Sequence, residues 1–265
     1  MIIIGEKLNS SIPSVHRAFE ERDASYIKQM TAKQIDCGAD YLDVNAGVFL
    51  EKEVETLLWA ISHVLEEAPD ARLMIDSPSP AAVKEVLKVY HDNEVIVNSI
   101  TLEEDRLPVL ETVCEYGTGI VALPIDENGI PQTAEERLEV SERLIHMLRG
   151  AGIADDRIYL DILVQAISSD HMAGLETLKS VKLLREHFPD VHLTGGLSNI
   201  SFGLPGRAYI NAAFLASAIT MGLDSAITDV TNNSIRFAIQ SALLINGQDE
   251  YCMNYIEQYR DVFDD

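Results

Sequence analysis

YLDVNAGVFLEKEVETLLWAISHVLEEAPDARLMID, Tyr41–Asp76, contains one repeat of the fold in full. A short apolar run, YLDVN, leads into VETLLWAISHVLEEA, an amphipathic stretch of helical period. A second apolar run, RLMID, closes the unit. Strands that are continuously apolar and alternate with helices belong to a parallel sheet covered by those helices.

The same alternation extends in both directions. IIIG (2–5) comes first; EVIVN (94–98), GIVALP (119–124), RIYLDI (157–162), VHLTG (191–195) and a weaker SAITD (225–229) follow. Helical patterns fall at 24–37, 81–90, 105–116, 134–150, 173–187, 208–221 and 232–245. In AAVKEVLKVY, Ala82, Val86, Val89 and Tyr90 recur on one face, and Thr133 followed by Glu136 forms a capping-box signature. Tyr251, Tyr255 and Tyr259 give the tail from Gln248 to Asp265 the spacing of a closing helix. Eight such units predict an α/β fold, a (β/α)8 TIM barrel in one domain over residues 1–265. An open doubly wound sheet is the alternative, because the eighth strand is poor.

Composition narrows the function. Of 265 residues, 43 are Asp or Glu and 20 are Lys or Arg, a formal net charge of −23. Nucleic acid and anionic membrane both call for a cationic footprint, so neither is expected as a partner. No apolar run approaches the ~18 residues of a membrane span. MIIIGEKLN lacks a basic lead and reads as a first strand, not a signal peptide. Cys37, Cys114 and Cys252 show no metal-binding spacing; they are expected to be buried, small and apolar in a reducing cytoplasm.

In barrels of this type chemistry sits at the carboxyl ends of the strands. Those ends carry Glu6, Lys7 and Asn9, then Asp43 and Asn45, Asp76, Asn98, Asp161, and finally Ser198 and Asn199 after Gly195 and Gly196. Any one of these has a plain explanation as a helix cap or turn residue. Together they describe a cup of carboxylates and amides. His171 lies beyond strand six and His192 within strand seven, where a histidine is more often a satisfied core residue than a catalyst. No Ser/His/Asp set, P-loop, GxGxxG or HExxH is present, and no metal site is expected. Carboxylates accept paired hydrogen bonds from an N–H/NH2 edge, and an amide both donates and accepts. Guanine and pterin both present such an edge.

GEKLN (5–9), DVNAG (43–47), MIDS (74–77), VNS (97–99), LDI (160–162) and GLSNIS (196–201) occur in order at strand ends. In this the chain resembles the pterin-binding methyltransferases, in particular the tetrahydrofolate methyltransferases that act with corrinoid proteins, over residues 2 to about 245. The resemblance implies a pterin clamp of Asp76, Asn98 and Asp161, with Asn199 near pterin N5 as the catalytic residue. It also implies supporting roles for Glu6, Gly196 and Ser198, and places Arg207 toward the folate side. The implied reaction moves a methyl group between N5 of tetrahydrofolate and a cobalamin (corrinoid) carried by a partner protein, within one-carbon metabolism. Relatives imply a homodimer. The first loop, EKLNSS, departs from relatives that carry Arg and Gly there. A dihydropteroate synthase-like enzyme or a non-catalytic folate-binding protein is the alternative. The synthases carry a lysine and a late Ser-x-Arg-x-His type motif, where this chain has Gly195-Gly196 and TDVTNNS.

Overall fold

The computed structural model describes residues 1–91 and 94–263. Eight parallel strands appear: β1 (Ile2–Asn9), β2 (Tyr41–Asn45), β3 (Arg72–Asp76), β4 (Ile96–Ile100), β5 (Gly119–Ala122), β6 (Ile158–Asp161), β7 (His192–Thr194) and β8 (Ser225–Thr228). Their order is sequential, with β8 pairing back onto β1. The circle closes where Ile227 N–H donates to the Gly195 carbonyl at 3.0 Å and Gly196 bridges Ile227 in parallel. The weak eighth strand is real, and its four residues are all buried. The fold is a (β/α)8 barrel, not an open sheet.

The helices are α1 (Pro13–Glu20), α2 (Ala24–Asp36), α3 (Glu53–Glu67), α4 (Pro80–Leu87), α5 (Pro108–Tyr116), α6 (Ala134–Gly150), α7 (Ala173–His187), α8 (Arg207–Met221), α9 (Asn233–Ile245) and α10 (Met253–Phe263). The apolar stripes of α1 to α9 bury against the outer face of the barrel in one continuous core, and α10 packs on Phe237 of α9. None of the described helices is long and apolar enough to cross a membrane.

Three expectations need correction. Helix α4 stops at Leu87, so its buried set is Ala82, Val83, Val86 and Leu87, and Val89 lies beyond the last turn with 56% exposure. Tyr251 precedes α10 in a turn, while Tyr255 and Tyr259 pack against Phe237; Asp264 and Asp265 lie outside the described residues. Cys114 and Cys252 are exposed and Cys37 is half-buried, because Cys114 falls on the outward face of α5 and Cys252 in the turn before α10.

Side chains pointing into the barrel form layers. Ile4, Tyr41, Met74, Ile96, Val121, Tyr159 and Ile227 make a buried plug, separate from the outer core. Strand side chains return to the same face every second residue. Two positions further on, the inward residues are Glu6, Asp43, Asp76, Asn98, Leu123, Asp161 and Asp229. The pleat thus turns an apolar floor into a polar mouth in one step.

Candidate active site

The mouth is built from strand register. Asn45 lies beside Asp76, and Asp76 beside Asn98, in consecutive parallel pairings. The Asn45 amide donates to Asp76 Oδ2 at 2.9 Å, while its carbonyl oxygen accepts from Ser10 Oγ at 3.0 Å and Gly47 N–H at 3.1 Å. Asn45 is therefore held from both ends and fixes Asp76. Behind them, Ser77 Oγ donates to buried Glu53 at 2.6 Å. Asp161 accepts from Leu163 N–H at 2.7 Å, a turn in which Leu163 has φ of 52°.

Burial sets the carboxylate chemistry. It raises Asp76 to about 6, against the Asn45 hydrogen bond and the Arg106 charge, which pull the other way. It also raises Asp161 to about 6, opposed by the Leu163 N–H and by Arg137. Asp43, 2% exposed, is pushed well above the ordinary range by burial, then by the charges of Asp76 and Glu6; the Asn98 side chain opposes this. Glu6 is raised by burial, against a 2.7 Å hydrogen bond from Ser198 Oγ. A carboxylate titrating near 6 is mostly ionised at neutral pH and gains from any ligand that donates to it.

The β7 end brings Gly196, Ser198 and Asn199 to this mouth. Neither Gly195 nor Gly196 has positive φ; both serve close approach. A Cβ on Gly195 would meet Ile162 at 3.0 Å, and one on Gly196 would meet Asn199 Nδ2 at 3.2 Å. The Asn199 amide thus lies directly over Gly196. Its backbone is held by Gly196 and Phe202, but its side chain is exposed and makes no hydrogen bond among the described residues.

Arg207 is exposed and turned back onto its own loop: Nε donates to Ser201 Oγ at 3.0 Å and Nη2 to the Ser198 carbonyl at 2.7 Å. It braces the Asn199 turn, and its charge acts on Glu6 in the mouth. Lys7 pairs with Asp229 at 2.9 Å. His192 bonds Asp224 at 2.8 Å and stacks on Tyr159, the satisfied histidine expected of a strand interior. His171 is 90% exposed in the loop before α7. Among the described residues no group of His, Cys, Asp or Glu could hold a metal ion.

Sequence reasoning put Asn45 in the polar cup without its tie to Asp76, and gave no role to Arg106 or Arg137. Arg137 is 1% exposed on α6 and donates to the Ile162 carbonyl, Thr177 and Ser180, beneath Asp161. Its position one turn past the Thr133 cap was the available signal. Arg106 had none. Beside the strand ends, a cleft of about 700 Å³ is lined by Asn45, Asp76, Ser99, Arg106 and Leu123. It is large enough for a small molecule, since such sites run ~300–1,000 Å³.

Comparison with known proteins places this geometry. The pterin binding enzyme family matches residues 5–229. The chain is 36% identical over 263 residues to the methylcorrinoid:tetrahydrofolate methyltransferase of Eubacterium limosum, covering 98% of this chain and 96% of that protein. It is 30% identical over 241 residues to methionine synthase of Mycobacterium tuberculosis, covering 86% of this chain and 20% of that much longer protein. In fold it resembles Yersinia pestis dihydropteroate synthase, with TM-score 0.68, 16% identity and coverage of 93% and 94% of the two chains.

Proposed function

This chain belongs to the pterin-binding enzyme family, and we propose that it is a methyltransferase moving a methyl group between a corrinoid protein and N5 of tetrahydrofolate. One observation carries the reading: two buried-side carboxylates, Asp76 and Asp161, share a mouth with an exposed, unpaired amide, Asn199. The first two are acceptors for the N–H donors of a pterin edge. The third is free to meet an atom whose charge changes. The E. limosum relative, similar over nearly its whole length, is named for this reaction.

Asp76, oriented by Asn45, and Asp161 would hold the pterin ring, with Asn98 adding a donor and an acceptor. The ring then lies against Gly196, whose missing side chain allows both the ring and the Asn199 amide to approach. When bound, the partner-held methylcorrinoid supplies an electrophilic methyl group. As the N5 lone pair forms its bond to that carbon, the methyl–cobalt bond would break with its electron pair left on the partner's corrinoid; N5 becomes a cationic ammonium and its N–H sharpens as a donor. The Asn199 carbonyl oxygen accepts from that N–H, most strongly where charge has developed, so it stabilises the transition state more than the ground state. In the reverse direction the same bond favours protonated N5-methyl, the form from which the amine can leave. An amide cannot ionise, so Asn199 holds the proton at N5 without taking it.

The partner carries the corrinoid in this reading: the SDHMAGL segment, with His171 outward and next to Asp170, offers no buried ligand. The dihydropteroate synthase likeness rests on fold alone. At the end of β7 this chain has the closing glycines and no lysine. A cytoplasmic location accords with three unpaired cysteines. A homodimer accords with α8, which carries no charged residue between Arg207 and Asp224 in a strongly acidic chain.

The test is anaerobic spectroscopy of purified protein with methylcobalamin and tetrahydrofolate. Cob(I)alamin and 5-methyltetrahydrofolate should appear in equal amounts. No such product with methylcobalamin or with methylated corrinoid proteins would sink the methyltransferase reading. Tight tetrahydrofolate binding without turnover would leave a folate-binding protein.

A further inference from the structure

We propose that Arg106 is a positioning residue for the pterin clamp: its guanidinium ties the ends of β3 and β4 together and so holds Asp76 and Asn98 at a fixed separation. Its partners are all main-chain carbonyls. Nη1 donates to Pro78, and Nη2 to Ser99 at 2.8 Å and to Ser77 at 3.3 Å. Two of those carbonyls lie just past Asp76 and the third just past Asn98.

The tie falls where the sheet stops supplying one. The β3–β4 ladder ends at the Asp76–Asn98 pair, followed by a single Ser77 N–H to Asn98 carbonyl bond of 3.0 Å. On the other side of β4, the register with β5 slips between Asn98 and Ile100. Past this point the two strand ends would be free to splay. A planar guanidinium presents five donors in a rigid fork, enough to span carbonyls from two loops, whereas an ammonium is a compact point charge. Arg106 also lines the cleft and places a positive charge near Asp76, favouring its ionised form. It comes from the loop before α5 and contacts neither Asp76 nor Asn98 directly, so it acts through them.

The inference rests on the pterin reading, so binding and turnover are measured separately. Arg106→Gln and Arg106→Lys, alone and with Asp76→Ala, are compared with wild type. Tetrahydrofolate affinity is followed by calorimetry from about pH 5 to 8, and methyl transfer from methylcobalamin at saturating tetrahydrofolate. Arg106→Gln should weaken tetrahydrofolate by about tenfold and move the acid limb of the binding curve to higher pH, with kcat reduced less than about threefold. Arg106→Lys should keep the acid limb near its wild-type pH yet still lose several-fold in affinity. In the Asp76→Ala background, Arg106→Gln should add no more than about a twofold loss, because one of the two groups whose separation it fixes is gone.

Wild-type affinity in Arg106→Gln, full rescue by Arg106→Lys, or equal losses with and without Asp76 each overturn the positioning role. If Arg106→Gln does not fold, Arg106→Lys and its Asp76→Ala double variant carry the same comparison. A wild-type protein that binds no tetrahydrofolate overturns the pterin reading and this inference with it. Wild-type binding matched by Arg106→Gln overturns this inference alone.

Discussion

Asn199 and Gly196 form one unit, and each makes a distinct prediction. On the proposed reading, Asn199→Ala removes the acceptor offered to N5 but no part of the Asp76–Asn98–Asp161 clamp. Methyl transfer should fall by about 100-fold, in the range seen when a transition-state hydrogen bond is deleted, while tetrahydrofolate affinity changes by less than about threefold. Equal losses in both would make Asn199 a binding residue. Gly196→Ala places a methyl group 3.2 Å from the Asn199 amide nitrogen, so the amide must give by a few tenths of an ångström. Turnover should drop about tenfold, less than for Asn199→Ala, and the two changes should not be additive. The strand-end positions of Asp76, Asn98 and Asp161 were legible because each comes at the end of an apolar run. Asn45's grip on Asp76 was not, since it depends on which residues stand side by side in separate strands. Arg207 is a case of local bonding that the sequence did not show. The resemblance implies a place for it toward the folate side, and in the ligand-free chain its guanidinium bonds Ser198 and Ser201.

At the scale of elements, the sequence showed the strands and long helices because pattern and burial agree there. It hid α1, an eight-residue helix whose capping position is Ile12 with no side-chain cap and whose start is marked only by Pro13. Helix α6 is the opposite case. Thr133 Oγ1 accepts from Glu136 N–H at 3.2 Å, and Glu136 accepts from Thr133 N–H at 3.0 Å. The cap fixes the first turn of the helix that carries Arg137 beneath Asp161, linking a surface box to the site. Thr133→Ala should cost about 1 kcal/mol in chemical denaturation. A variant as stable as wild type would mean that packing of Arg137 and Val140, not the box, sets where α6 begins.

For the whole molecule, the decisive feature is that Glu6, Asp43, Asp76 and Asp161 are all raised, chiefly by burial. A carboxylate whose folded pKa lies above its unfolded value binds its proton more tightly when folded. Its contribution to stability is fully present below the unfolded value and is lost as pH rises through the folded value. For Asp76, held at about 6 instead of ~3.9, the amount lost is on the order of 2–3 kcal/mol. Arginine-paired acids with lowered values, such as Asp126 and Asp155, act oppositely, but their window lies below about pH 4. Between about pH 8 and 5 the mouth therefore dominates, and the ligand-free protein should unfold at higher temperature as pH falls. On the proposed reading tetrahydrofolate binding needs Asp76 and Asp161 ionised, so its stabilising shift should shrink over that interval. Self-repulsion at a net charge of −23 also eases on acidification. Asp43→Asn separates the two causes: it removes one buried acid while barely changing the global charge. The variant should gain on wild type at about pH 8 and lose that advantage by about pH 5. A parallel pH dependence for wild type and Asp43→Asn would assign the effect to global charge and leave the buried mouth without a role in it.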